Sequence, residues 1–235
     1  MPRKVAQRLI RRGAVSTLSG VPLLDPKIRL SGLTPLLVDE VESHPPPPLV
    51  LWHKPLGCLS TYRDPWGREG LEGALPEPLG VSLHPVGRLD SDTSGLLLFA
   101  RDGQLTQRLL HPKHQLPRVY RVTVASHPPE LGERLRAGVR TSEGVFKAEL
   151  LRAEANTLWA RVYEGKYRMV RRIFANAGAP VQALHRESYG PFMLNTLSPR
   201  EHRLPALDEL AELAEGLPPS LLESLAPLWF PPLTE

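Results

Sequence analysis

The stretch Gly87-Arg88-Leu89-Asp90-Ser91-Asp92-Thr93-Ser94-Gly95, continuing as LLLFARDG to Gly103, decides how the chain is read. Small and polar residues crowd positions 87–95, between the apolar run Val81 to Val86 and the segment GLLLFA (95–100). Six such residues bounded by turn formers predict a short buried strand. Asp102 then suits the cap of a helix from Gly103 to Leu110, because a carboxylate there accepts from free backbone N–H groups. A polar loop held between rigid elements is where catalytic groups tend to sit. Alone, Asp90 reads as a turn or cap residue. Asp92-Thr93-Ser94-Gly95 has the outline of an aspartic-protease loop, but no second copy supplies the partner carboxylate, and that reading is set aside.

Outward from this loop the chain alternates strands and helices. Val119 to Val124 has period two, with Tyr120, Val122 and Val124 on one face. Pro129 suits the first turn of a helix that Gly138 ends after Ala137. Leu158 to Tyr163 and Val181 to Leu184 read as strands. Residues 166–177 place Met169, Val170, Ile173, Phe174 and Ala177 at helical spacing, with Gly178 as the stop. Leu207 to Glu215 is a final short helix. Without the regular beat of a doubly wound sheet, the class is α+β with a mixed sheet. Four prolines, Pro45 to Pro48, lack backbone donors and make a stiff spacer. The expected division is residues 1–44, a linker at 45–48, a main domain at 49–216, and a proline-rich tail at 217–235 that contains Trp229 and Phe230.

The chain has 235 residues, a single cysteine, Cys58, and a net charge of +4. One cysteine forms no internal disulfide, and no cysteine pair has metal-site spacing. No apolar run reaches the roughly 20 residues of a spanning helix. The charged start (Arg3, Lys4, Arg8) lacks the apolar core of a secretory signal. These features predict a cytoplasmic protein with no membrane partner. Residues 1–30 hold seven basic side chains and one acid, 161–203 eight basic and three acidic, and the chain from Leu204 onward six acids and no lysine or arginine. Two basic segments and an acidic end suit a polyanion-binding protein as well as an ordinary solvated surface. Of the 29 basic residues 23 are arginine, the side chain that forks onto phosphates and stacks on bases. His111 and His114 lack a third ligand, Cys58 reads as a small apolar filler, and no phosphate cradle or GxSxG elbow occurs.

GRLDSDTSGLLLFARDG (87–103) resembles the signature loop of the RsuA-like pseudouridine synthases of ribosomal RNA. Three segments agree in order: Lys54-Pro55-Leu56-Gly57 with Ser60-Thr61, Arg118-Val119-Tyr120-Arg121-Val122, and Glu164 to Arg172 with Leu184-His185-Arg186-Glu187. The likeness covers about residues 49–213. It implies a mixed, mainly antiparallel sheet with flanking helices, and a small, truncated α-L-like RNA-binding module at the N-terminus. It makes Asp90 the carboxylate acting on the sugar, Tyr120 the active-site tyrosine and Arg171 the cation beside Asp90. Either role of a carboxylate, nucleophile at the anomeric carbon or base starting elimination, needs the ionised form, which a nearby guanidinium favours. Leu184 is expected to pack on the base and Arg88 to enter the gap left by an extruded nucleotide, with Lys54 and Arg172 also at the substrate. Tyr120 and Leu184 equally suit a plain core.

Met169 stands where the family usually carries glutamine, a departure that removes one hydrogen bond near the substrate. No metal and no cofactor are expected. The implied partner is ribosomal RNA, free or in a partly assembled subunit, with the protein a monomer. Leu184-His185-Arg186-Glu187 looks more like the 16S rRNA branch than the 23S one. A non-catalytic RNA-binding or assembly factor, and a glycosidase using Asp90 and Asp92, are the other classes these residues allow.

Overall fold

The computed structural model describes residues 3–28, 30, 34–43, 47–76, 79–81, 83–215, 217, 222–223 and 225. The N-terminal part holds helix α1 (Arg3–Arg11) and three short antiparallel strands, β1 (Val15–Thr17), β2 (Leu36–Val38) and β3 (Val41–Ser43), in the order β1-β2-β3. The expected linker begins at prolines outside the described residues.

The rest is built on one sheet. Its strands are β4 (Leu49–Lys54), β5 (His84–Pro85), β6 (Thr93–Ala100), β7 (Arg118–Val124), β10 (Glu149–Glu154), β11 (Thr157–Val162), β12 (Val181–Tyr189), β13 (Phe192–Met193) and β14 (His202–Arg203), while β8 (Val139–Thr141) and β9 (Gly144–Phe146) form a separate hairpin. The main order is β10-β11-β7-β12-β6-β4-β14. Among these neighbours only β12 and β6 are parallel. The fold is therefore α+β with a mixed, mainly antiparallel sheet, as the sequence implies.

Period-two alternation divides β4 and β6 between two cores. Val50, Trp52, Leu97 and Phe99 join one cluster; Leu49, Leu51, Leu96, Leu98 and Ala100 join the other. GLLLFA is buried at every position because both faces of β6 are covered. Each buried Leu or Phe here contributes roughly 1.5–3 kcal/mol. Helix α4 (Met169–Asn176) seals the first core with Val170, Ile173 and Phe174, joined by Leu131 and Leu135 of α3 (Leu131–Ala137). Helices α2 (Gly103–Leu110) and α5 (Leu207–Ala214) seal the second. Asp102 caps α2 by accepting from Gln104 N at 2.6 Å. Cys58 is buried in the first core.

Three expectations need adjustment. α4 starts at Met169 rather than 166, because Arg168 takes the left-handed conformation (φ +49°). β12 extends to Tyr189 rather than stopping at Leu184; its polar HRES stretch shifts register against β7 between Arg186 and Ser188, both of which are buried inside the sheet. Of the expected tail, Leu217 and Leu225 pack into the second core with Leu210 and Leu213. Trp229 and Phe230 lie outside the described residues.

Candidate active site

Strand pairing brings distant segments to one place. Arg186 of β12 lies opposite Tyr120 of β7 on one side and Gly95 of β6 on the other; Leu184 lies likewise between Val122 and Thr93. Gly95 has φ +111°, and a Cβ there would sit 2.2 Å from Arg186 O, so only glycine lets the two backbones approach. The loop that enters β6 is thereby fixed at the sheet's centre. Ser60 Oγ donates to Leu89 O (2.7 Å) and accepts from Leu89 N (3.0 Å), and Gly57 N donates to Ser91 O (2.8 Å).

Above this point opens a cavity of about 420 Å³, lined among others by Arg88, Asp90, Tyr120, Arg168, Leu184 and Arg186. Its size falls in the roughly 300–1,000 Å³ range of small-molecule sites. The Asp90 side chain is 29% exposed, so it is neither sealed nor free in solvent. Arg168 Nη1 lies 3.8 Å from Asp90 Oδ2, and Arg168 forks onto Asp92 with Nη2 to Oδ2 at 2.9 Å and Nη1 to Oδ1 at 3.2 Å. Burial disfavours the Asp92 carboxylate, but the Arg168 hydrogen bond and the charges of Arg171 and Arg168 outweigh it and hold its pKa below the ordinary value. The hydrogen bond that Arg168 donates to Asp92 likewise raises the pKa of Arg168, against burial.

The cavity floor is aromatic and cationic. Arg186 is buried; its Nε donates to Leu96 O (2.8 Å) and its Nη1 donates to the Tyr120 hydroxyl at 3.5 Å. Arg118, also buried, donates to the Tyr189 hydroxyl (2.7 Å) and to Tyr163 O (3.0 Å). Both guanidinium groups stack on the Tyr189 ring, at 4.6 Å for Arg118 and 5.0 Å for Arg186. Among the described residues no carboxylate pairs with either arginine within ion-pair distance. Such a floor can hold a planar, hydrogen-bonding ring and attract an anion.

The structure brings Arg88, Asp90, Tyr120 and Leu184 together, but it does not bring Arg171, Lys54 or Arg172 to the cavity wall. Arg171 points beneath the loop, donating to Asp92 O (2.6 Å) and lying 3.3 Å from Asp92 Oδ2. The guanidinium nearest Asp90 is that of Arg168, one helical turn earlier, because its left-handed backbone turns it towards the loop. Lys54 is fully buried, with Nζ donating to Thr93 O (2.8 Å) and Pro55 O (3.0 Å). Burial pulls its pKa down to about 8, against the pull of nearby Asp90 and Asp92. It clamps β4 to the loop from below. Arg172 turns away, pairs with Glu143 and stacks on Tyr167 at 5.2 Å. Met169, buried, lines the cavity. Sequence reasoning missed Arg168, Arg118, Arg186 and Tyr189. The first three lie inside the quoted motifs, but the partners that set them in the site are about 70 to 90 residues away in sequence.

A sequence model of the family described as RNA pseudouridylate synthase matches residues 48–204. The ribosomal large subunit pseudouridine synthase B of Bacillus subtilis (strain 168) is 33% identical over 196 residues, covering 80% of this chain and 80% of the relative. The ribosomal small subunit pseudouridine synthase A of Vibrio cholerae serotype O1 is 35% identical over 172 residues, covering 71% and 74%. A solved structure described as a pseudouridylate synthase superposes with a TM-score of 0.65 at 28% identity, covering 91% of this chain and 94% of the other.

Proposed function

This chain belongs to the RNA pseudouridylate synthases, isomerases acting on RNA, and on that premise we propose that its target is a uridine of ribosomal RNA. The observation that carries the site assignment is the convergence of Asp90, Tyr120, Leu184 and Arg168 on one cavity at the centre of the sheet. A flipped uridine places its sugar at Asp90 and its base between Tyr120 and Leu184. Asp90 acts either as nucleophile on C1′ or as base starting elimination beside it. The C1′–N1 bond breaks, the uracil turns, and C5 bonds to C1′. The proton lost from C5 is balanced by one gained at N1. Tyr120, hydrogen-bonded to Arg186, is placed to stack on the base and take part in removing that proton. Arg168 holds the loop carboxylates and Arg88 fills the gap left in the RNA. Nothing in this scheme calls on a metal or cofactor.

Residues 1–44 are read as the RNA-binding module, with Lys4, Arg8 and Arg11 of α1 and Arg12 just after it on one surface. Leu184-His185-Arg186-Glu187 favours small-subunit RNA as target, although the relatives include both subunit types. Asp90→Asn tests the mechanism. Turnover on unmodified ribosomal RNA is expected to fall by at least about 10³-fold, with RNA affinity within about two-fold. Carbodiimide stop mapping of both ribosomal RNAs reads the product and its position. Retained turnover in the variant removes Asp90 from the chemistry, and a new stop confined to large-subunit RNA overturns the small-subunit assignment.

A further inference from the structure

The hairpin following β4 carries a side chain that the chemistry at Asp90 does not use. Its limbs are joined by Leu59 N to Glu69 O and Leu71 N to Thr61 O, both 2.8 Å. Its tip, Asp64-Pro65-Trp66-Gly67-Arg68, is a closed turn in which Gly67 N donates to Asp64 O (3.2 Å). Pro65 fixes the second position and Gly67 supplies φ +69°. The Asp64 carboxylate, 5% exposed, accepts from Trp66 N (3.1 Å), Arg68 N (3.0 Å) and Arg68 Nη2 (2.7 Å). Glu69 is ion-paired with Arg200. The turn is thus rigid before anything binds.

On this rigid turn Trp66 is left 77% exposed, with the Arg68 guanidinium 5.0 Å from its ring. A single exposed apolar side chain is ordinary, but this one is an indole at the apex of a braced turn, flanked by Arg63, Pro65, Gly67 and Arg68. A protein hot spot would surround the indole with apolar contacts; here its neighbours are cationic or small. A flat ring with a fixed guanidinium beside it suits a nucleic-acid base, which any sequence can offer. Ser60 and Gly57, near the base of the same hairpin, are hydrogen-bonded to Leu89 and Ser91 on either side of Asp90.

We propose that Trp66, backed by Arg68, is a stacking platform for an unpaired RNA base outside the Asp90 cavity, so that the strand carrying the target uridine is gripped at two points. This rests on the reading above that RNA is the substrate. Stacking on a preordered indole adds affinity without the cost of ordering a loop.

The test titrates the full chain with a short single-stranded, uridine-containing RNA while following tryptophan emission, and measures turnover on ribosomal RNA. Of the chain's four tryptophans Trp52 is buried and Trp159 half-buried, and the difference between the wild type and Trp66→Ala isolates the Trp66 share of the emission. The wild type is expected to be quenched. Trp66→Ala should lose most of that quench and bind about ten-fold more weakly, whereas Trp66→Phe keeps the affinity. On ribosomal RNA, Trp66→Ala should raise KM while kcat stays within about two-fold. Unchanged affinity and quench in Trp66→Ala overturn the proposal. If the wild type is quenched through Trp66 yet forms no pseudouridine on either ribosomal RNA, the catalytic reading fails while the platform stands.

Discussion

Arg168 is where one residue's backbone decides the site. Its left-handed conformation at the start of α4 sends the guanidinium back to the loop, 3.8 Å from Asp90 and 2.9 Å from Asp92. Arg171, three residues on, is held beneath by Asp92 O and Val181 O. The two arginines therefore divide the work of holding Asp90 and Asp92. Arg168→Ala leaves Arg171 on Asp92 but removes the forked pair to Asp92 and the guanidinium facing Asp90, so kcat is expected to drop about 10²-fold, with a smaller change in KM, in single-turnover assays on ribosomal RNA. Loss of KM alone would make Arg168 a phosphate contact instead. The family likeness puts Arg171 of the GKYRMVRR segment beside Asp90; that Arg168 comes nearer is not legible, because a left-handed arginine leaves no trace in residue type or spacing. Asp90 was legible only through the likeness of its contiguous loop to the family's, since alone it reads as a turn or cap residue. Lys54 was legible as part of the motif but not as a buried clamp, because its environment comes from β6 and the loop, some forty residues away.

Among the elements, the parallel pairing of β6 and β12 does most to build the site. It puts His185 beside Ser94, with Ser94 Oγ 2.8 Å from His185 Nδ1, and edge-on to His53 with ring centres 5.4 Å apart. Burial, then the charges of Arg121 and His53, push the His185 pKa down from 6.5 to about 4. The folded chain holds this imidazole neutral where the unfolded chain protonates it. Between pH 6.5 and 4 the unfolded state thus binds more protons, and stability is lost as pH falls through that window. The expected slope is up to about 1.4 kcal/mol per pH unit, read by urea unfolding from pH 7 to 4.5. His185→Gln should flatten it; an unchanged slope would assign the acid sensitivity to other groups. β6 was legible as a strand because it is apolar throughout. The second half of β12 was not, because its burial of Arg186 and Ser188 depends on partners in β6 and β7.

For the whole molecule the question is how RNA reaches the central cavity. Lys4, Arg8 and Arg11 recur at helical spacing on α1, and among the described residues none of the three forms an ion pair, whereas Arg12 is taken up by Asp39. Changing the three together to alanine is expected to weaken RNA binding and reduce the slope of log affinity against log salt by about 2–3, with Tm and kcat at saturation nearly unchanged. An unaltered salt slope would remove α1 from the RNA interface. The sequence by itself determined the α+β class, the apolar strands and the loop bearing Asp90, because residue period and turn chemistry are local properties. It also carried the family likeness, because those motifs are contiguous. Tertiary structure alone decided which guanidinium faces Asp90, that Lys54 lies under the loop, and that Arg118, Arg186 and Tyr189 floor the cavity. Each depends on strand register and helix start across tens of residues, and a linear pattern of residue types does not encode the distance between side chains brought together by the sheet.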